Sequence, residues 1–171
     1  MPAQYLDEFI RELRRDGDAE FRKSHAAPVL LVTEAAGEVQ NDTGAETTVM
    51  ADTSGWRIQQ VSLLNRVFEV SRGAFEKPGP IQLGRTETCD ISIPDDSVSK
   101  RHCVFEADPR GAGATVMDCG STNGTSVDDV TLVANQPLRL KGGERLRTGN
   151  YSFTFHTPDS FIAYLKRVVK L

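Results

Sequence analysis

Three short stretches of the chain place hydroxyls, amides and cations close together. They are Gly84-Arg85-Thr86, then Ser97-Val98-Ser99-Lys100-Arg101-His102, then Asp118-Cys119-Gly120-Ser121-Thr122-Asn123-Gly124-Thr125. An arginine offers a planar fork of N–H donors that matches two phosphate oxygens. The hydroxyls of Ser99 and Thr122 can donate to the remaining oxygens. The Asn123 amide can accept from and donate to a peptide backbone at once. Those residue types suit the binding of an anion carried on a peptide. Ser99 and His102 also supply two parts of a nucleophilic hydrolase, which needs an orienting carboxylate as well. The chain has no G-x-S-x-G turn to present such a serine, so no catalytic residue is expected and His102 is read as a packed structural histidine. Cys103 and Cys119 lack a closely spaced ligand pair, so no metal and no cofactor are expected, and the thiols are read as buried.

The segments that must carry these loops are short and strand-like. Candidates lie at 67–71, 81–84, 90–93, 102–107, 115–118, 125–127, 130–132, 136–140, 144–147 and 151–156, separated by breaks such as Pro94-Asp95-Asp96 and Lys141-Gly142-Gly143. Even spacing with Gly-, Pro- and Asp-rich turns is the pattern of an all-β sandwich or barrel, whose loops converge at each end. Two amphipathic segments flank them. Tyr5, Leu6, Phe9, Ile10 and Leu13 recur at helical spacing, and Asp16-Gly17-Asp18 is expected to stop that helix. Residues 28–33 then read as a strand. At the other end Phe161, Ile162, Leu165, Val168 and Val169 form a helical stripe, with Asp159 or Ser160 expected as its N-cap.

Composition narrows the function. The 171 residues are 39% hydrophobic and 26% charged, which fits a globular chain with one ordinary core. A net charge of −4 argues against a nucleic-acid partner, which calls for a basic surface. The apolar run at 26–32 is broken by Pro28 and is too short to span a bilayer. Positions 1–30 carry six acids and five bases with no apolar signal region, and three cysteines cannot close into a disulfide framework, so a cytoplasmic setting is expected. Residues 34–55 hold five acids and no lysine or arginine, with few large apolar groups. Such a segment buries too little surface to offset its ordering entropy and is read as a flexible acidic tether.

The order Gly84-Arg85, Ser99-x-x-His102, Ser121-Thr122-Asn123-Gly124-Thr125 resembles the forkhead-associated (FHA) domain, a phosphothreonine-binding β-sandwich. The stretch IQLGRTETCDISIPDDSVSKRH has that family's spacing, and LRLKGGERLRTGNYSFTF resembles its closing strands. The resemblance covers roughly residues 60–157. It implies an FHA-like sandwich of about eleven strands, with short N- and C-terminal helices. It implies that Arg85 pairs with the phosphate, that Ser99 donates to it with Lys100 adding a cation, that Thr122 helps recognise the phosphothreonine and that Asn123 clamps the peptide backbone. Gly84, His102 and Gly124 would shape the loops, Gly124 through a positive-φ turn. The division expected is an N-terminal helix and strand extension (1–33), the tether (34–55), the FHA-like domain (56–157) and a C-terminal helix (158–171).

The implied function is a reader or adaptor that binds a phosphothreonine-containing protein in Ser/Thr-kinase signalling. The alternative is a phosphate-independent scaffold working through the N-terminal extension. The tether adds a regulatory expectation. Glu46-Thr47-Thr48-Val49-Met50 resembles the acid-threonine-threonine segment upstream of the domain in some small bacterial FHA regulators, where a kinase modifies it and it folds into its own groove. Thr47 and Thr48 are therefore candidate phosphorylation sites, and the 38 residues from Thr47 to Arg85 are ample for a coil to reach the groove.

Overall fold

The computed structural model describes residues 4–35, 63–71, 79–108 and 113–169. In chain order the elements are β1 (Gln4–Tyr5), α1 (Leu6–Ser24), β2 (Val29–Glu34), β3 (Arg66–Glu69), β4 (Ile81–Gly84), β5 (Ile91–Ser92), β6 (Cys103–Ala107), β7 (Ala114–Asp118), β8 (Thr125–Val127), β9 (Val130–Thr131), β10 (Leu138–Leu140), β11 (Arg145–Thr148), β12 (Tyr151–His156) and α2 (Pro158–Val168). The strands form two facing sheets. One has the order β1-β3-β2-β12-β11-β8-β9 and the other β10-β7-β6-β4-β5, all pairs antiparallel except β4 with β5. The all-β sandwich expected from the strand spacing is the fold, and the added strand β1 is a two-residue pairing with β3 that carries too little pattern to read from sequence.

A core of alternating inward residues fills the space between the sheets. Leu30 and Val32 of β2, Phe105 of β6, Val116 of β7, Leu146 of β11 and Phe153 and Phe155 of β12 all belong to it and are almost fully buried. A second core lies on the outer face of the larger sheet. There Leu6, Phe9, Leu13 and Phe21 of α1 meet Phe161, Ile162 and Leu165 of α2 over Val29, Leu31 and Val67. Phe9 stands edge-on to Phe161 with ring centroids 5.3 Å apart. The unbroken apolar run Val29-Leu30-Leu31-Val32 thus has a reason: odd and even positions face different cores, so the strand is covered on both sides.

That arrangement changes the reading of the N-terminal part. Residues 29–34 are no appendage beside the sandwich, because β2 lies between β3 and β12 in the interior of the larger sheet. Glu34, expected to begin the tether, is the last residue of β2. Its carboxylate accepts from Ser152 Oγ at 2.7 Å and pairs with Arg145 at 2.8 Å, contacts that hold its pKa below the usual carboxylate range. Residues 36–62, including Thr47, Thr48 and almost all of the acidic segment, lie outside the described residues.

The helices differ from expectation in detail. Asp16-Gly17-Asp18 does not end α1. Gly17 takes φ 74° and breaks the helix into two segments that continue to Ser24. The N-cap of α2 is Thr157, whose hydroxyl accepts from the Ser160 amide at 3.3 Å, and not Asp159 or Ser160. Pro158 explains the shift, since proline favours the first helical position and leaves the cap to the residue before it. Val168 of the expected apolar stripe is exposed, while Phe161, Ile162 and Leu165 are buried. No described helix is long and apolar enough to cross a membrane.

Candidate functional site

The three loops that carry the polar motifs meet at one end of the sandwich, tied by a short chain of hydrogen bonds. Arg85 follows β4, and its amide donates to the Ser99 carbonyl at 2.9 Å. The Ser99 hydroxyl accepts from the Thr122 amide at 3.0 Å and lies 3.4 Å from the Thr122 hydroxyl. Asn123 Nδ2 donates to the Ser97 carbonyl at 2.7 Å. Arg85, Ser99, Thr122 and Asn123, more than thirty residues apart at the extremes, are therefore one connected group. Thr122, Asn123 and Lys100 are exposed and Arg85 and Ser99 partly so, which leaves the group open to a ligand.

His102 explains why a serine and a histidine stand three residues apart. Its Nδ1 accepts from the Ser99 amide at 3.1 Å, and its Nε2 reaches the Gly124 carbonyl at 3.0 Å, so Nε2 carries the proton and donates. The fully buried ring thus links the Ser99 loop to the Asn123-Gly124 turn. Burial pushes its pKa below the ordinary histidine value, against smaller upward pulls from the Gly124 carbonyl and Asp118. Both nitrogens serve the main chain, and the Ser99 hydroxyl faces Thr122 and not the imidazole, so the two side chains are not arranged as nucleophile and base.

The remaining loop-shaping positions follow from close approach and turn geometry. A Cβ on Gly84 would lie 2.3 Å from the Lys100 carbonyl oxygen, a distance no side chain tolerates, so the Arg85 loop can sit against the Ser99 loop only with glycine there. Lys100 holds that place through its main chain, its carbonyl accepting from Thr86 Oγ1 and Cys89 Sγ, each at 3.2 Å, while its side chain points to solvent. Gly124 has the positive φ expected of it, at 73°.

Several residues that organise the site carry no mark in the sequence motifs. The carboxylate of Asp118 is 3% exposed and gathers four donors: the amides of Gly120 and Ser121 at 2.8 and 2.9 Å, and the hydroxyls of Ser121 and Thr125, both at 2.6 Å. Burial works against its charge, but these hydrogen bonds outweigh it and keep the pKa lowered. An Asp two residues before a glycine in a turn is an Asx-turn signal that could have found it. Asp96, fully exposed, pairs with the Arg85 guanidinium. Ser97 receives the Asn150 amide on its hydroxyl at 3.0 Å, joining the β11–β12 turn to the loop group. Nothing local in the sequence points to Asp96 or Asn150 as neighbours of Arg85 and Asn123. Cys103 is buried as expected, its thiol pushed far above the ordinary pKa by burial, and Cys89 is buried too; Cys119, also expected to be buried, is partly exposed because it lies just past the end of β7.

Comparison with known proteins agrees with this architecture. The family model described as FHA domain matches residues 81–149. Mediator of DNA damage checkpoint protein 1 of Mus musculus is 31% identical over 121 residues, which is 67% of this chain but 7% of that protein, so the chain corresponds to a small part of the relative's length. Among solved structures, the FHA domain of the CT664 protein from Chlamydia trachomatis superposes with a TM-score of 0.51 at 16% identity, covering 76% of this chain and 96% of that one. Full-length yeast Pml1p gives 0.50 at 19% identity, covering 91% and 96%. The latter two share the fold and little of the sequence. The motif order, the two-sheet topology and the family match over the loop-bearing strands agree, and residues 81–149 of this chain are an FHA domain.

Proposed function

We propose that this protein binds a partner protein through a phosphothreonine, with Arg85 and Lys100 facing the phosphate, Ser99 and Thr122 donating hydroxyls to it, and Asn123 holding the peptide backbone. The observation that carries this reading is the hydrogen-bonded convergence of Arg85, Ser99, Thr122 and Asn123 from three loops, all with solvent access. A ligand phosphate would take the place of Asp96 on the Arg85 guanidinium. A few charge-assisted hydrogen bonds at about 1.5–3 kcal/mol each, less the ordering cost, correspond to an affinity near micromolar. The reading is of a binding module in Ser/Thr-kinase signalling, with no chemistry of its own. Phosphorylation at Thr47 or Thr48 would let the chain supply its own ligand, since tethering raises the effective concentration to about millimolar. The scaffold alternative needs a free apolar face on the N-terminal helix, and Leu6, Phe9, Leu13 and Phe21 are already buried against α2 and the sheet.

The test is titration of a degenerate phosphothreonine peptide library against wild type and Arg85→Ala, with unphosphorylated and phosphoserine controls. Binding that requires phosphothreonine and collapses in Arg85→Ala is the expected result. Equal binding of unphosphorylated peptides would overturn the reading.

A further inference from the structure

Asn123 belongs to two features at once. Besides its bond to Ser97 in the loop group, it lines a cavity of about 430 Å³ together with Ser126, Thr131, Arg147 and Asn150. Because Asn123 lines it, a peptide held by that amide would run beside the cavity. Its chemistry is one-sided: a guanidinium, two side-chain amides and hydroxyls, with no carboxylate in the lining.

Arg147 stands out among the arginines of the closing strands β10 and β11, which lie in different sheets. Arg145, two residues earlier on the same strand, is paired with Glu34, and Arg139 on β10 is paired with Asp108. Arg147 is exposed, makes one long hydrogen bond from Nε to the Gly149 carbonyl at 3.3 Å, and forms no ion pair among the described residues. Glu34, which acts on it electrostatically, has both oxygens engaged by Ser152 and Arg145. A cation with no ion pair of its own, lining a polar cavity that holds no carboxylate, favours an incoming anion.

We propose that Arg147, with Asn150 and Asn123, selects phosphopeptides that carry an aspartate or glutamate near the phosphothreonine. This rests on the phosphothreonine reading of the groove and adds a second determinant to it. A carboxylate suits the cavity because one guanidinium balances one negative charge, while neutral amides supply the other donors. A second phosphorylated residue offers the same chemistry with more charge, and the test separates the two.

The experiment is fluorescence polarisation with phosphothreonine peptides in which Asp, Ala, Lys or phosphoserine is walked through the positions flanking the phosphothreonine in an otherwise alanine background. Wild type is expected to prefer Asp over Ala at one position by about three- to ten-fold, and to disfavour Lys there. Arg147→Gln should bring the Asp and Ala peptides to equal affinity, and Arg147→Glu should reverse the preference toward Lys. Because the side chain is exposed, thermal melts of both variants should match wild type. An Asp preference that survives in Arg147→Gln, or none in wild type despite Arg85-dependent phosphothreonine binding, overturns this inference and leaves the groove reading intact. A preference for phosphoserine over Asp at that position overturns the carboxylate assignment. Loss of all phosphothreonine-dependent binding in wild type overturns both readings.

Discussion

Replacing His102 by leucine tests whether the buried imidazole is what holds the site together. The substitution keeps an apolar side chain of similar bulk but leaves the Ser99 N–H and the Gly124 C=O without their partner. A buried polar group stripped of its hydrogen bond costs about 1–3 kcal/mol, and both are only partly buried, so the loss should be about 2–4 kcal/mol of folding stability. Urea denaturation at pH 7.5 reads it directly. The same bonds predict a pH effect. Nδ1 accepts from the Ser99 amide, so protonation there removes the acceptor. With the folded pKa depressed below the unfolded value of about 6.5, the unfolded chain binds the proton more readily. This contribution is complete above that pH and declines as pH falls toward the folded pKa. His102→Leu should lose that segment of the pH profile, and phosphopeptide affinity should fall as the Ser99 and Asn123 loops separate. A loss under about 1 kcal/mol with unchanged peptide binding would refute the linking role.

Three further outcomes follow from the structure. His156 is buried beside Tyr164 and Phe161, its pKa pushed down to about 4 chiefly by burial, with Arg167 adding to the shift and Glu144 opposing it, so stability should fall as pH drops from about 6.5 to 4 by at most about 3 kcal/mol; urea titrations across that range should flatten in His156→Phe. Asp96→Asn frees the Arg85 guanidinium and removes a negative charge beside the phosphate site, so phosphopeptide should bind roughly two- to five-fold tighter by polarisation, most visibly at low salt. A chain starting at Trp56 lacks β2 and α1, opening both cores, and its circular dichroism should show no cooperative thermal transition.

What the sequence by itself determined is the part that rests on local interactions. Alternation of apolar residues and the turn residues between them located the strands, because pleat and turn conformations are set within a few residues. Ser99-x-x-His102 was legible because the bond it encodes spans three residues, and Gly124 because its turn needs positive φ. Thr157 was legible in principle, from the proline after it. Tertiary structure alone decided the rest. Val29–Glu34 reads as a strand from its composition, but its seat between β3 and β12 depends on pairing with residues up to 40 positions away on one side and more than a hundred away on the other. Shorter separations are no more legible: Asp96 meets Arg85 across eleven positions, and Arg147 and Asn150 reach Asn123 from a different strand pair. These neighbours are set by sheet order and strand register, which arise from how two cores fill, and no short-range pattern records which distant loops a filled core will bring together.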